Sequence, residues 1–467
     1  MRTAVVLTGS GTAGAYHAGV LRALHEAGVR TDLVAGRGIG AASAMFAAVD
    51  GGARLWDADG IWKGTAATRF YPWKQSLRAA GWALLAAVAL LLFPLLLLGL
   101  AVLVGTAGLI LTLTGFDTLG AALTVSFANQ IARWFAPDAL PTIVPRLVLL
   151  AVLAGAVAVG AGWAREWWRG RARRRGARGS LWRLLGSPIS ARGAVDAFAR
   201  ELWNLIRGAA PLQRPREAEL ARRYVELLAD NLGQPGFREL LVVAHDLDAR
   251  HDLVFAFLAE PYRGRFAAPS AARIPAGRAF EAIDLAGVGR DHAVDMLAAS
   301  LAMPLAVEPH LVAFAVEGPW RGETHRTCDR PGSLGRLLEE VAAAGAEQVI
   351  VVSAAARPGR PHELKATPSE VRMRAGEELS AFEAAGLRDA LEQFSGRFAG
   401  LHVIRPEHNP LGALDFGGVH DQQSDRRFTI RELADRGYED AYRQFIDPVV
   451  GAGGERLEGA EVQIPHP

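Results

Sequence analysis

The chain has 467 residues, 51 Lys and Arg against 49 Asp and Glu, a net charge of +2, 50% hydrophobic residues and one cysteine. That length accommodates two or three structural units, with about three the prior expectation. The lone Cys328 excludes an internal disulfide and fits a reducing cytosol, and the near-neutral charge points neither toward nucleic acid nor away from it.

Thr3-Ala-Val-Val-Leu-Thr8 is a short apolar, β-rich run, so no secretory leader is read ahead of it. It ends in Gly9-Ser-Gly-Thr-Ala-Gly14, after which Tyr16, Val20, Leu21 and Leu24 recur at helical spacing up to Gly28. A strand, a glycine turn and a helix bring backbone N–H groups and about half a positive charge to one point, which suits a phosphate or an oxyanion. Asp32-Leu-Val-Ala-Gly-Arg-Gly-Ile-Gly40 predicts a second strand, a sharp turn and a small-residue helix. That is the context of a nucleophile elbow, Gly-x-Ser-x-Gly, with Gly38 in the serine's place. Gly9-x-Gly11-x-x-Gly14 also matches the dinucleotide fingerprint, and Arg37 is positioned for a ribose 2′-phosphate, although the acidic residue of that pattern is absent.

From Ala79 to Phe116 no residue is charged, and Leu147 to Ala164 is likewise uncharged between Arg146 and Arg165. About 20 apolar residues cross a bilayer, so the reading is a membrane insertion over 55–180 with spans near 79–116 and 143–164. Pro94 marks a kink or a re-entrant break within the first span. Between the spans Leu119, Leu123, Phe127, Ile131, Trp134 and Phe135 describe an amphipathic helix in the far interface. Trp73, Lys74 and Arg78 on one flank and the arginines of 165–178 on the other place both flanks on the cytoplasmic side by the positive-inside rule. Arg169, Arg173, Arg174 and Arg175 are read as a clamp on anionic lipid headgroups rather than on RNA.

Residues 181–237 predict a helical cap or connector with Trp182, Trp203 and Tyr224 in the core. Leu240 to Asp248 predicts a core strand, and His245-Asp-Leu-Asp-Ala-Arg-His-Asp252 a surface turn, since its histidine spacing is not that of a helical metal site. Asp329 follows Cys328, and a helical pattern then leads to the strand Gln348-Val-Ile-Val-Val-Ser353. Residues 354–467 read as a C-terminal extension holding a helix near 369–395, a strand at 401–404 and a helix near 429–447.

Leu7 to Leu21, the elbow after Asp32, Ala298-Ala-Ser-Leu-Ala-Met-Pro304 and Asp329 before a helix and a strand together resemble the patatin-like phospholipases, over residues 2–52 and 238–353. The resemblance implies an α/β fold, a patatin-like three-layer α/β/α domain interrupted by a transmembrane helical hairpin, with its first part in 1–54 and its second in 238–353. It also implies that Gly9, Ser10, Gly11, Thr12, Ala13 and Gly14 form an oxyanion loop, that Asp329 is a retained dyad aspartate and that Gly38 is a degenerate nucleophile position. Asp329-Arg330-Pro331 lacks the family's glycines, Ser10 stands for a loop glycine, and Ala13 replaces a basic residue. Ser43 is the hydroxyl nearest the elbow in sequence.

In a Ser-Asp dyad the serine oxygen attacks an acyl carbonyl while loop amides hold the oxyanion. Without the nucleophile about 10³- to 10⁴-fold over water remains, and losing an oxyanion donor removes on the order of 10² more. The leading expectation is therefore a catalytically degenerate inner-membrane protein, multi-pass, with its soluble domain in the cytoplasm. It binds membrane lipid, with no cofactor, no metal, no nucleic acid and no named protein partner. The alternatives are an acyl-ester hydrolase with a displaced nucleophile at Ser43 and an NADP-dependent oxidoreductase.

Overall fold

The computed structural model describes residues 1–57, 59–64, 66–134, 140–170, 187–267, 281–316, 320–357 and 371–450. They fall into two units, Met1–Pro72 with Ile189–Pro467, and Trp73–Pro188.

In the first unit nine strands share one sheet: β1 (Thr3–Thr8), β2 (Leu33–Arg37), β3 (Glu239–Asp246), β4 (His251–Phe257), β5 (Ala282–Asp284), β6 (His310–Ala313), β7 (Thr324–Cys328), β8 (Gln348–Ser353) and β9 (Gly400–Ile404). The order is β5-β4-β3-β2-β1-β8-β9, with β7 paired to the end of β3 and β6 to β7. β1 lies between β2 and β8, parallel to both, and Val5 stands beside Val34 and Ile350. The β2–β3, β4–β5 and β8–β9 pairs are also parallel, whereas β3–β4, β3–β7 and β6–β7 are antiparallel.

The unbroken apolar runs of β1 and β8 follow from burial on both faces. Ala4 and Val6 pack with Leu33, Leu241 and Val351 on one side, and Val5 and Leu7 with Val34, Val242 and Ile350 on the other. Helices α1 (Ala13–Glu26), α2 (Ile39–Ala47) and α3 (Ala53–Trp56) and the helices Arg192–Arg207, Ala293–Leu301 and Ile430–Ala441 contribute to the second cluster. Leu334–Ala343 and Val371–Phe394 contribute to the first. Tyr224, expected in the core, is fully buried and donates to Met45 O at 2.7 Å. Trp182 lies outside the described residues.

The described part of 354–467 is not a separate appendage. β9 extends the sheet, and the helix Ile430–Ala441 rests on α1 so closely that a Cβ on Gly19 would lie 1.8 Å from Ala434 O. Its start is fixed by a capping box, Thr429 with Glu432.

In the second unit α4 (Gln75–Leu113) packs against both α5 (Asp117–Trp134) and α6 (Leu140–Gly170). α4 runs through position 94 without a break, and at about 1.5 Å per residue its 39 residues extend about 58 Å. It holds two stretches long and apolar enough to cross a membrane, Gln75–Phe93 and Leu95–Leu113, of which 6% and 11% is buried; α6 holds a shorter one, Arg146–Gly162. The chain reverses, because Gly155 faces Ala83 while Gly162 faces Ser76, so α6 runs antiparallel to α4. Small residues let these backbones approach: a Cβ on Gly108 would meet Thr124, and one on Gly120 would meet Gly108 O.

Candidate functional site

The glycine turn and the elbow meet at the carboxyl ends of β1 and β2, where open α/β sheets place their ligands. Three glycines shape the elbow. A Cβ on Gly36 would lie 2.2 Å from Gly40 O, and one on Gly40 would lie 2.0 Å from Leu7 O. Gly38, between them, has φ 57° and ψ −134°, a region that side chains of L-residues rarely enter. The strained turn of a nucleophile elbow is thus present, and α2 starts directly after it.

No hydroxyl occupies its apex. A Cβ on Gly38 would fall 2.3 Å from Gly9 O and 3.0 Å from Asp329 Oδ2, so the expected dyad aspartate does stand against the expected nucleophile position. Gly9 O accepts from Ile39 N–H at 3.0 Å, which holds the carbonyl in the space a serine side chain needs.

Asp329 is engaged elsewhere. Its Oδ1 accepts from Arg37 Nε at 3.2 Å and its Oδ2 from Arg37 Nη2 at 2.6 Å, a two-pronged guanidinium–carboxylate pair. Arg37 Nη1 donates to Thr8 Oγ1 at 3.1 Å and also pairs with Glu383 of the helix Val371–Phe394. Ser10 Oγ joins both acids, 3.3 Å from Asp329 Oδ2 and 3.4 Å from Glu383 Oε1. Arg37 is 0% exposed, Asp329 1% and Glu383 6%. Burial alone would depress the Arg37 pKa, but the charges of Asp329 and Glu383 and their hydrogen bonds more than offset it, and the guanidinium is held firmly protonated. Burial next to Asp329 likewise pushes the Tyr71 phenol up, and burial with Asp329 and Asp252 pushes the Cys328 thiol up to about 12. Neither is a nucleophile at neutral pH.

The loop expected to hold an oxyanion is occupied by its own chain. Thr12 N–H donates to Ala413 O at 3.1 Å, Ala13 N–H to Ser10 O and Gly14 N–H to Gly11 O. Thr12 Oγ1 donates to Gly412 O at 2.8 Å, and a Cβ on Gly11 would overlap Ala413 O at 1.7 Å. The covering loop is itself fixed, with Asn409 Nδ2 donating to Ala354 O and Gly412 N–H to Asp415 Oδ2. Asp415, which precedes a Gly-Gly pair, therefore props this cover and takes no part at the elbow. Behind the glycine turn, lined in part by Ser10, Ser353, Ser380 and Glu383, is a cavity of about 30 Å³. That is room for about two waters.

Ser43 faces away from the elbow. It is fully buried and 3.4 Å from His17 Nδ1, while His17 Nε2 is 3.1 Å from Thr8 O. The carbonyl accepts from Nε2–H, so Nδ1 accepts the Ser43 hydroxyl. Burial, aided by the nearby Arg37 charge and opposed by the Thr8 bond, lowers the His17 pKa to about 4. The ring is neutral at pH 7, a Ser–His contact inside the core.

Arg37 is not available for a ribose phosphate, because burial and two carboxylates occupy it. The basic clamp is not reached: Arg173, Arg174 and Arg175 lie outside the described residues, and at Arg169 only the helical backbone is described. Of the turn predicted at 245–252, His245 and Asp246 end β3 and His251 and Asp252 begin β4, so that only 247–250 form the turn, with Asp246 Oδ1 accepting from Asp248 and Ala249 N–H. Glu383 and the 409–415 cover were not picked out in the sequence. The signal that points to them is Arg37 itself, since an arginine at the end of a buried strand requires carboxylate partners from somewhere.

Neither a protein-family model nor a curated protein matches the chain. Among solved structures, VipD from Legionella pneumophila is similar with a TM-score of 0.30 and 12% identity, over 95% of this chain and 65% of that one.

Proposed function

We propose that the chain is a membrane-embedded relative of the patatin-like phospholipases in which the hydrolytic centre is replaced by a buried ion-pair lock, leaving a non-hydrolytic protein that acts at a lipid surface. The observation that carries this is the two-pronged grip of Arg37 on Asp329. An aspartate held in that way has both oxygens occupied, the apex it would serve carries no oxygen, and the Thr12, Ala13 and Gly14 N–H groups of the loop are engaged by Ala413 O, Ser10 O and Gly11 O.

The apolar stretches of α4, returned by α6, supply the membrane part of the reading. Basic residues on both flanks favour two crossings with both soluble segments in the cytoplasm, and Arg169, Arg173, Arg174 and Arg175 then meet anionic headgroups. The protein reconstituted into vesicles is expected to leave a fluorescent phospholipid and short acyl esters uncleaved, and to remain unlabelled by a fluorophosphonate. Turnover with a labelled serine overturns the reading, and loss of that label in Ser43→Ala would assign the displaced nucleophile.

A further inference from the structure

The chain leaves the first unit at Pro72 and returns to it at Ile189. The two ends are tied together, since Ser190 N–H donates to Pro72 O at 3.1 Å. A third segment joins them: Ile189 N–H donates to Ala306 O at 3.1 Å, and Ile189 pairs with Val307 in a parallel bridge.

That third segment is a tight turn with a leucine at its tip. Val307 N–H donates to Met303 O at 3.0 Å and Ala306 N–H to Pro304 O at 2.7 Å, so the turn is closed on itself. Met303 and Val307 are buried, whereas Leu305 is 95% exposed. Leu305 also has φ 63°, a left-handed conformation that glycine or asparagine adopts at lower cost. An aliphatic side chain is therefore held in water by a strained backbone whose neighbours are anchored in the core. Exposed Arg69 and Arg192 stand beside the same junction, and a Cβ on Gly193 would lie 2.5 Å from Arg69 O.

We infer that this junction is a membrane-docking surface, with Leu305 seated at the boundary between acyl chains and headgroups and Arg69 and Arg192 on the lipid phosphates. The inference rests on the proposed crossing of the bilayer by α4. Its particular support is connectivity. α4 begins at Gln75, three residues after Pro72, and an extended chain covers at most about 3.5 Å per residue, so Pro72, one strand of the junction, is at most about 10 Å of chain from the start of the helix proposed to enter the lipid. The headgroup layer is on the order of 5–8 Å deep on each side of the hydrocarbon. A leucine presented at that depth finds an apolar partner without any further protein, and adjacent arginines match anionic headgroups better than they match a second basic copy of the junction.

The test uses the full chain with a polarity-sensitive dye on Leu305→Cys, in vesicles that contain anionic lipid. Cys328, the chain's one native cysteine, is buried with its thiol pKa pushed up to about 12, so the engineered thiol is labelled selectively. A blue-shifted emission, quenched several-fold more by a lipid-attached nitroxide than by aqueous iodide, is expected. The same dye on Leu98→Cys, an exposed position of α4, separates the two ways of failing. Leu98 in lipid with Leu305 in water overturns the docking surface and leaves the crossing intact, whereas Leu98 in water removes the crossing itself. A Leu305 dye that is dry but unquenched by the lipid nitroxide would assign a protein partner and also overturns the inference.

Discussion

Around Gly38 each neighbour is fixed by a contact that one extra carbon would break, whereas along α4 the fold asks only that residues be apolar. At the elbow Gly36, Gly38 and Gly40 each face a carbonyl oxygen closer than 2.5 Å to where a Cβ would be. On α4 Leu84, Leu91, Leu95 and Leu98 are all exposed, touching little protein. The first region is specified by backbone geometry and charge pairing, the second by solvent. Chemistry can be lost from the first while its geometry persists, because the geometry also closes the core between β1, β2 and α2. The difference gives the two regions opposite sensitivities to substitution.

The largest effect is expected at Arg37. Arg37→Met leaves Asp329 and Glu383 buried without their cation, and breaking a buried pair from one side costs about 3–5 kcal/mol. Leu98→Ala on α4 is expected within about 0.5 kcal/mol for the first unit, since distant sites act independently. Urea unfolding in detergent micelles, read by pulse proteolysis of the first unit, measures both. Replacing Arg37, Asp329 and Glu383 together by apolar residues of similar size should recover most of the loss. Equal effects at Arg37 and Leu98 would erase the contrast between the regions.

The sequence made the central strands legible because burial on both faces leaves continuous apolar runs, and β1, β2, β3 and β8 all carry one, whereas the edge strand β9 is half-buried and interrupted by His402. The helices near 369–395 and 429–447 were legible from apolar periodicity, and correspond to Val371–Phe394 and Ile430–Ala441. The sharp glycine turn at Gly38 was legible because the elbow pattern is local. The lock was not, because Arg37 and Glu383 lie 346 positions apart and nothing in either neighbourhood names the other. The cover at 409–415 escaped for the same reason, since its role is a carbonyl, Ala413 O, and any residue supplies one. The apolar stretches of α4 were legible as composition, while its continuity past Pro94 was not, because proline removes a helical hydrogen bond and biases a chain toward a kink or break.

The second effect lies in the core beneath the elbow, at His17. Its folded pKa of about 4 is below the ordinary 6.5, so between those values the unfolded chain binds the extra proton. Stability is then full above about pH 6.5 and falls as the pH drops toward 4, by at most 1.36 kcal/mol per pH unit and about 3 kcal/mol in all. His17→Gln should flatten the stability profile of the first unit between pH 6.5 and 4 by about one proton. Asp295, which burial alone would raise, is instead held at about 2 by its bonds from His292 and His310, so its own loss of stability comes at lower pH. A profile unchanged by His17→Gln would show that the ring is protonated in the folded chain.

The smallest of the three effects, at Gly38, separates a site that has lost only its nucleophile from one that has closed around the loss. Gly38→Ala places a methyl 2.3 Å from Gly9 O in a backbone region that costs L-residues about 1–3 kcal/mol. About 2 kcal/mol of destabilisation is expected, because Gly9 O must move and its 3.0 Å bond from Ile39 N–H must stretch. Gly38→Ser should cost the same and gain no fluorophosphonate label, since its hydroxyl would enter beside Asp329, already held by Arg37, under a loop whose amides bond Ala413 O, Ser10 O and Gly11 O. Restoring the oxygen alone thus leaves Asp329 in the grip of Arg37 and the Thr12, Ala13 and Gly14 amides engaged. A Gly38→Ser protein as stable as the parent and labelled by the probe would mean that the glycine turn still opens, and that the difference between elbow and enzyme is a single side chain.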